Sequence, residues 1–377
     1  MKNKILIIAV VLLSVNSLVS QTLYNSPYSR YGIGQINSSN NAFQLGQGGL
    51  SYTTTLPNIV NMSNVASLSY LRRHTPVFDI SLTSDLVELK TTSSSEHYRN
   101  TNISNFTLGL PISKRSGLAF SYQPYTKMGY RVSDSLVDPN GVDYANYYVG
   151  QGGLNKFTMG LSHVVYRADS ADLKISRGAN ANYIYGNFHN VRISDFPTNS
   201  GFNSLLVKDS VSVKDVAFDG GLLVKYNPDG KWKYTFGATY SLTSNLNAKN
   251  EFVAFTYNGS TTGIIDTVKH VPSKNGVITV PSALGLALES VYDNKLGIGA
   301  QITFRDWSKF SYEFANDPSS LYVNSQELNL GLWYKPSGLK GNTNGGALKN
   351  ATFKTGYRMT SIGLNLNNTN IQEMAVS

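Results

Sequence analysis

The sequence predicts an all-β protein, a transmembrane antiparallel up-and-down β-barrel with an N-terminal plug. About twelve runs alternate apolar and polar residues with a period of two, and many reach about 10 residues, the length that membrane-spanning strands need. The face opposite the apolar one consists mainly of Gly, Ser, Thr and Gln, which suits a wet or plugged lumen. Charged residues make up only 15% of the chain, against about 25% in soluble domains.

The first 20 residues have the pattern of an export signal. Lys2 and Lys4 form a short positive region, an apolar run extends from Ile5 to Val15, and small polar residues lead to Gln21. The apolar run is shorter than the roughly 20 residues of a membrane-spanning helix, which argues against the alternative of a membrane anchor. We therefore expect residues 1–20 to be a signal peptide and the mature chain to be exported.

Residues 21–75 do not alternate and are rich in Asn, Ser and Gly. A disordered leader and a folded plug are the two interpretations of such a segment. Its content of aromatic and aliphatic residues is high for a disordered segment, so we expect a plug or hatch over 21–75, followed by the barrel over 76–377.

The strands of the barrel are illustrated by the run from Trp232 to Leu242, in which every second residue is apolar. Alternation alone also fits a secreted soluble β-sandwich, but the strand length favours the transmembrane barrel. Aromatic residues near strand ends suit the interfacial girdles of such barrels, and four are assigned to them: Trp232, Tyr292, Trp307 and Tyr334.

The connections between strands alternate in length. Short turns are predicted near 114–117, 168–172, 227–230 and 292–295, and long polar loops near 133–151, 192–211, 255–276 and 309–325. Outer-membrane barrels have short periplasmic turns and longer extracellular loops, so the short turns are assigned to the periplasmic side.

Catalytic and cofactor-binding signals are absent from the sequence. The chain has no Cys, its five His are scattered, and neither a nucleophile elbow nor a phosphate-binding loop occurs. The net charge of +9 comes from dispersed basic residues, which argues against nucleic-acid binding. The sequence predicts no enzyme activity, no cofactor and no metal.

Three N-terminal stretches carry a family resemblance. Ser26–Gly34 resembles the mature N-terminus of FadL-type outer-membrane proteins of Bacteroidota, and Gln44–Gly49 resembles the Gly-rich segment that follows it there. Asn58–Ser67 resembles the Asn-Pro-Ala plug segment of that family, with Val65 in place of the proline. The resemblance implies a 14-stranded barrel in the outer membrane of a Gram-negative cell, carrying hydrophobic compounds such as long-chain fatty acids. Because the chain ends inside an apparent strand at Met374–Ser377, we expect two further strands in the complete protein.

Candidate gating residues lie in the third strand. Proline cannot donate to a strand ladder, so Pro124 predicts a bulge or a gap in the barrel wall. In FadL-like transporters an interruption of the third strand is the lateral exit, and the resemblance implies that Gln123, Pro124 and Tyr125 border such an opening. A local bulge without transport is the alternative.

The predicted plug contributes four more candidates. Arg30, next to Tyr31, could bind a substrate carboxylate or tie the plug to an acidic wall residue. Asn61 and Asn64 are assigned either to gating or to local turn formation.

The predicted function is passive uptake of a hydrophobic or amphipathic small molecule by plug movement and lateral exit, with outer-membrane lipid around the barrel. The rival is a non-transporting barrel subunit of a larger outer-membrane assembly or secretion complex, with other outer-membrane proteins as partners. A continuous apolar tunnel to Pro124 would favour transport, whereas a sealed lumen would favour the rival.

Overall fold

A computed structural model describes residues 26–377 apart from 39, 92–94, 169–171, 229, 259–263, 315–316 and 339–345. The predicted signal peptide lies outside the described residues. The strands are β1 (Gln35–Ile36), β2 (Val77–Lys90), β3 (Ser95–Pro111), β4 (Ser116–Pro124), β5 (Thr126–Val137), β6 (Asp143–Ala168), β7 (Leu173–Asp195), β8 (Ser204–Tyr226), β9 (Trp232–Ser241), β10 (Ser244–Tyr257), β11 (Ile264–Val280), β12 (Ala283–Tyr292), β13 (Leu296–Arg305), β14 (Ser311–Tyr312), β15 (Ser325–Tyr334), β16 (Phe353–Leu366) and β17 (Thr369–Val376).

The described helices are short. Two are α-helical, Ala42–Leu45 and Ala347–Asn350, and four are 3-10 helices, Pro27–Arg30, Val65–Tyr70, Trp307–Lys309 and Ser319–Leu321. Among the described residues, no helix is both long and apolar enough to cross a membrane.

The strands form one antiparallel ladder that runs in chain order from β2 to β17. Three membrane-spanning strands are interrupted, so each consists of two consecutive numbered strands. The halves β4 and β5 both pair with β6, and the halves β9 and β10 both pair with β8. The halves β11 and β12 pair with β10 and β9, respectively. When each broken strand is counted once and the two-residue strands β1 and β14 are left out, the described ladder has twelve positions. The predicted antiparallel β-barrel of about twelve strands is confirmed.

The outer surface of the wall is apolar. Leu288, Ile298 and Phe218 point outward and are 53%, 59% and 53% exposed, which suits contact with lipid rather than water. A row of outward aromatic side chains lies at the end of the barrel that carries the short turns, which we call the short-turn end: Trp232, Tyr292, Tyr334 and Phe353. Three of the four predicted girdle residues therefore occupy a girdle.

The end opposite the short turns is extended by long strands, and we call it the long-strand end. The prediction of long polar loops there is mostly wrong. The β5–β6, β7–β8 and β10–β11 connections are short, and most residues assigned to these loops continue the strands. Residues 264–275 of β11, for example, are exposed throughout. Alternation disappears beyond the lipid because both faces of the strand then meet water, so the sequence pattern no longer indicates a strand.

A packed apolar cluster crosses the lumen near the long-strand end. Its buried members come from facing sides of the wall and from the segment 306–324, and we call it the lumen cluster: Ile33, Met128, Leu154, Ile184, Phe188, Val211, Val213, Leu246, Ala248, Ile278, Val280, Trp307, Phe310, Tyr312, Phe314, Tyr322 and Leu364. The stretch predicted as the outer loop 309–325 thus places four aromatic side chains in the lumen: Phe310, Tyr312, Phe314 and Tyr322.

The assignment of Trp307 to an interfacial girdle is wrong. Trp307 is 7% exposed, and its ring stacks on Tyr322 with 5.1 Å between the ring centroids. In β13 the even-numbered residues from Leu296 to Phe304 face lipid, so an odd-numbered residue that continues this alternation faces the lumen. Counting the alternation to position 307 would have predicted the observed direction.

Truncation of a central side chain in the lumen cluster tests its contribution to stability. Phe188 is fully buried, so we expect Phe188→Ala to lower the free energy of unfolding by about 3–5 kcal/mol through the cavity it leaves. Phe218→Ala is the matched control, because this Phe faces lipid. Urea unfolding in detergent micelles measures both variants, and equal losses would show that the cluster is not a packed core.

Candidate functional site

Residues 26–76, which we call the inner segment, pack directly against the lumen face of the wall. At many contacts the wall residue is a glycine whose position leaves no room for a side chain. A Cβ added at Gly117 would lie 2.1 Å from the carbonyl oxygen of Leu68, and one at Gly221 would lie 2.2 Å from Oδ1 of Asn64. The wall glycines in such contact are Gly109, Gly117, Gly160, Gly178, Gly221, Gly237, Gly285, Gly299, Gly331 and Gly356.

Amide side chains of the wall hold the backbone of the inner segment. Oε1 of Gln301 on β13 accepts hydrogen bonds from the backbone N–H groups of Ser51 and Tyr52, at 2.9 and 3.0 Å. Nδ2 of Asn329 on β15 donates to the carbonyl oxygen of Gly48 at 2.8 Å, and the two amides join through a 3.3 Å bond. Both amides are buried, and buried polar groups that are paired in this way are costly to separate.

Lysines near the short-turn end bind aromatic rings of the inner segment. Nζ of Lys354 lies 2.8 Å from the ring centroid of Phe43 and donates to its carbonyl oxygen at 3.0 Å. Nζ of Lys174 lies 3.7 Å from the Tyr70 ring, and that of Lys225 lies 4.9 Å from it. Burial raises the pKa of the Tyr70 hydroxyl to about 12, so this ring stays neutral at physiological pH.

The two predicted asparagines lie inside these contacts. Asn61 is buried, and its Nδ2 donates to the carbonyl oxygens of Ser51 and Thr54 at 2.7 and 3.1 Å. Asn64 precedes the 3-10 helix Val65–Tyr70, and its Nδ2 donates to the wall at the carbonyl oxygen of Leu222, at 3.1 Å. Asn61 therefore ties the inner segment to itself, and Asn64 ties it to β8.

Gln123, Pro124 and Tyr125 lie where the third spanning strand is interrupted. Strand β4 ends at Pro124 and β5 begins at Thr126. Strand β3 pairs with β4 from Phe106 to Pro111, and in the described part of the chain no ladder pairing continues from β3 to β5. The wall therefore has a slit between the outer half of β3 and β5.

The inner segment covers the β5 side of this slit. Gln35 and Ile36 form β1, which pairs antiparallel with Lys127 and Thr126. The next residue, Asn37, donates its N–H to the carbonyl oxygen of Tyr125 at 2.9 Å and its Nδ2 to that of Pro124 at 3.3 Å. These bonds satisfy backbone groups that the broken strand leaves without a neighbour.

The Gly-rich stretch 150–154 faces the same interruption from β6. Gly153 has a φ of +146°, and a Cβ at this position would lie 2.3 Å from the carbonyl oxygen of Thr126. Only glycine fits the backbone at this position. The similar stretch 46–50 brings Gly48, with a φ of +65°, against the backbone of β15 and β16.

Arg30 and Tyr31 lie near the slit, and neither side chain is fully buried. Arg30 is exposed at the end of the 3-10 helix Pro27–Arg30, and its guanidinium carbon lies 5.3 Å from the ring centroid of Tyr31. Tyr31 packs against the lumen cluster. The structure thus groups five of the seven candidates around the slit and lumen cluster, and places Asn61 and Asn64 deep in the inner segment.

The residues that sequence reasoning missed are the wall glycines, Gln301, Asn329 and the inward aromatics of 306–324. The signal for the aromatics was present, because Phe310, Tyr312 and Phe314 alternate in a stretch assigned to a polar loop. In the described ranges, no three acidic or histidine side chains come together as a metal site.

These features define a class, the antiparallel β-barrels with an N-terminal segment folded against the lumen face of the wall. The chain belongs to the BamG family, whose family model matches residues 1–377. A search of curated proteins finds no match.

Solved structures share the fold at low sequence identity. A FadL homologue of Pseudomonas aeruginosa is 14% identical, with a TM-score of 0.52 over 88% of this chain and 82% of that one. The monoaromatic hydrocarbon channel CymD is 12% identical, with a TM-score of 0.50 over 92% of this chain and 88% of that one. The predicted FadL-like fold is confirmed, while the Bacteroidota type and the N-terminal motif remain predictions.

Substitutions at two adjacent glycines of β8 test the contact between the inner segment and the wall. Gly221 faces Asn64, whereas a Cβ at Gly220 would meet only one backbone oxygen, at 3.6 Å. We expect Gly221→Leu to lower the free energy of unfolding by about 1–3 kcal/mol and to make the inner segment accessible to protease. Gly220→Leu should change the stability by less than about 0.5 kcal/mol. Similar losses in both variants would contradict the direct contact.

Proposed function

We propose that the chain is a non-transporting barrel subunit of a larger outer-membrane protein assembly. The lumen cluster is the observation that carries this proposal. A dry cluster that joins facing walls leaves a hydrophobic ligand no apolar path from the long-strand end, because every contact inside it is already made between side chains of the chain itself.

The contacts of the inner segment support the same function. A plug that moves must break its bonds to the wall during each passage. Here the segment is held by Gln301, Asn329, Asn64 and the lysine–aromatic pairs, and it lies on wall glycines without intervening side chains. These interactions favour an immobile plug that stiffens the barrel as a scaffold for other proteins.

Passive uptake of hydrophobic small molecules is the second candidate, and the slit at Pro124 favours it. The wall is interrupted between β3 and β5, and CymD, which has a similar fold, is a monoaromatic hydrocarbon channel. In this mechanism the ligand enters from outside, residues 26–37 move away from β5, and the ligand leaves through the slit. Arg30 and Tyr31 then lie at its exit.

Purification from native outer membranes in mild detergent tests the first candidate. We expect the tagged full-length chain to recover other outer-membrane proteins in stoichiometric amounts. An unrelated tagged barrel of similar size, purified in the same way, is the control for incidental capture. Recovery of the chain alone, with bound fatty acids or similar amphiphiles, would reject the subunit function and favour uptake.

An engineered disulfide separates the two functions directly, because the chain has no cysteine of its own. Gln35 on β1 and Lys127 on β5 are directly opposite partners in an antiparallel pair. Such partners have Cα atoms about 4.5–5.5 Å apart, within the roughly 4.4–6.8 Å that disulfides span. We expect the oxidised Gln35→Cys, Lys127→Cys variant to assemble with its partners as the unmodified chain does. The two single variants and the reduced double variant are the controls. If oxidation abolishes uptake of a labelled fatty acid by cells and reduction restores it, the plug moves and the chain is a transporter.

A further inference from the structure

A cavity of about 710 Å³ opens at the short-turn end, beneath the inner segment. Its roof is the stretch 54–59 of the inner segment, and its sides come from β8, β9, β12 and β15. We call this cavity the vestibule. Because short turns mark the periplasmic side of outer-membrane barrels, the vestibule faces the periplasm.

The vestibule is cationic. Among the described residues that line it, four have basic side chains, Arg72, Lys225, Lys233 and Lys335, and one has a carboxylate, Glu289. That carboxylate already accepts a 3.0 Å hydrogen bond from the indole N–H of Trp333. Nζ of Lys225 is also engaged, because it donates to Oγ1 of Thr55 at 2.7 Å.

The other three cations are available to a ligand. Within the part of the chain that the structure describes, the side chains of Arg72, Lys233 and Lys335 have no hydrogen bond or ion pair. They come from different elements: Arg72 follows the 3-10 helix Val65–Tyr70, Lys233 lies on β9, and Lys335 follows β15. Apolar side chains, among them Leu56 and Val291, lie between them.

We propose that the vestibule binds an acidic, partly apolar extended segment of a periplasmic protein. Several carboxylates along one chain match cations on separate elements, whereas a fatty acid or a phosphatidylglycerol has one anionic group. The volume is in the range of small-molecule pockets, about 300–1,000 Å³, so the vestibule accommodates only a short stretch of such a segment. This inference rests on the proposed subunit function and assigns one partner surface to it.

A binding titration with the isolated full-length protein in detergent tests the vestibule. The probe is a short fluorescent peptide that alternates Glu and Leu, and the control peptide carries Gln in place of Glu. We expect the acidic peptide to bind and to weaken as salt increases, with little binding of the Gln peptide. The double variant Lys233→Gln, Lys335→Gln should bind the acidic peptide about tenfold more weakly.

The matched control removes two charges at the same end of the barrel but outside the vestibule. Lys114 and Lys349 are exposed there, and Lys114→Gln, Lys349→Gln should leave peptide binding unchanged. Heat-dependent gel migration of each variant shows that the barrel has folded. Equal weakening in both double variants, absence of binding to the unmodified protein, or complete displacement by dodecanoate would each overturn the proposal.

The outcome of the peptide titration is independent of the outcome of the purification from outer membranes. If partners co-purify and the peptide does not bind, the vestibule proposal fails while the subunit function stands. If the chain purifies alone, the subunit function fails whatever the peptide does.

Discussion

The rest of the structure depends on the close contact between the inner segment and the wall glycines. The segment can fill the lumen only where the wall has no side chains, so glycines on most of the strands provide the space for it. Their carbonyl and N–H groups remain in the strand ladder, and the fixed amides of Gln301 and Asn329 bind the segment instead. Wall and segment therefore define each other's shape, and a single added side chain such as that of Gly221→Leu displaces the segment.

Two barriers of different chemistry lie in series along the lumen. The inner segment near the short-turn end is held by hydrogen bonds and lysine–aromatic contacts, and its internal network centres on Asn61. The lumen cluster near the long-strand end is apolar, and residues 306–324 complete it by turning inward at Asp306. The first barrier also contains a buried apolar cluster, which includes Val60, Val65 and Leu68, so a ligand would have to disrupt close packing at both barriers. This combination is what favours a scaffold over a channel.

At the interruption near Pro124, the open sheet edge is covered by another segment of the same chain. An interrupted spanning strand exposes backbone donors and acceptors, and such edges attract other strands. Residues 35–37 pair with one side of the slit, so the same segment that fills the lumen also covers the weak point of the wall. The inner segment thus connects the lumen, the slit and the roof of the vestibule, and a partner bound at any of these would act on a common element.

Sequence patterns alone predict the strands in the lipid layer, their approximate number, the small polar residues of the lumen face and the interruption at Pro124. Each follows from a local rule: strand alternation between lipid and lumen, or the missing N–H of proline. Three features depend on the tertiary fold: which glycines meet the inner segment, the inward direction of the aromatic side chains after Arg305, and the continuation of strands through most of three predicted outer loops. Alternation of apolar and polar residues indicates a strand only where the two faces of the strand meet different media. Contacts such as that of Gly117 with Leu68 join residues from separate elements, so no local sequence pattern predicts them.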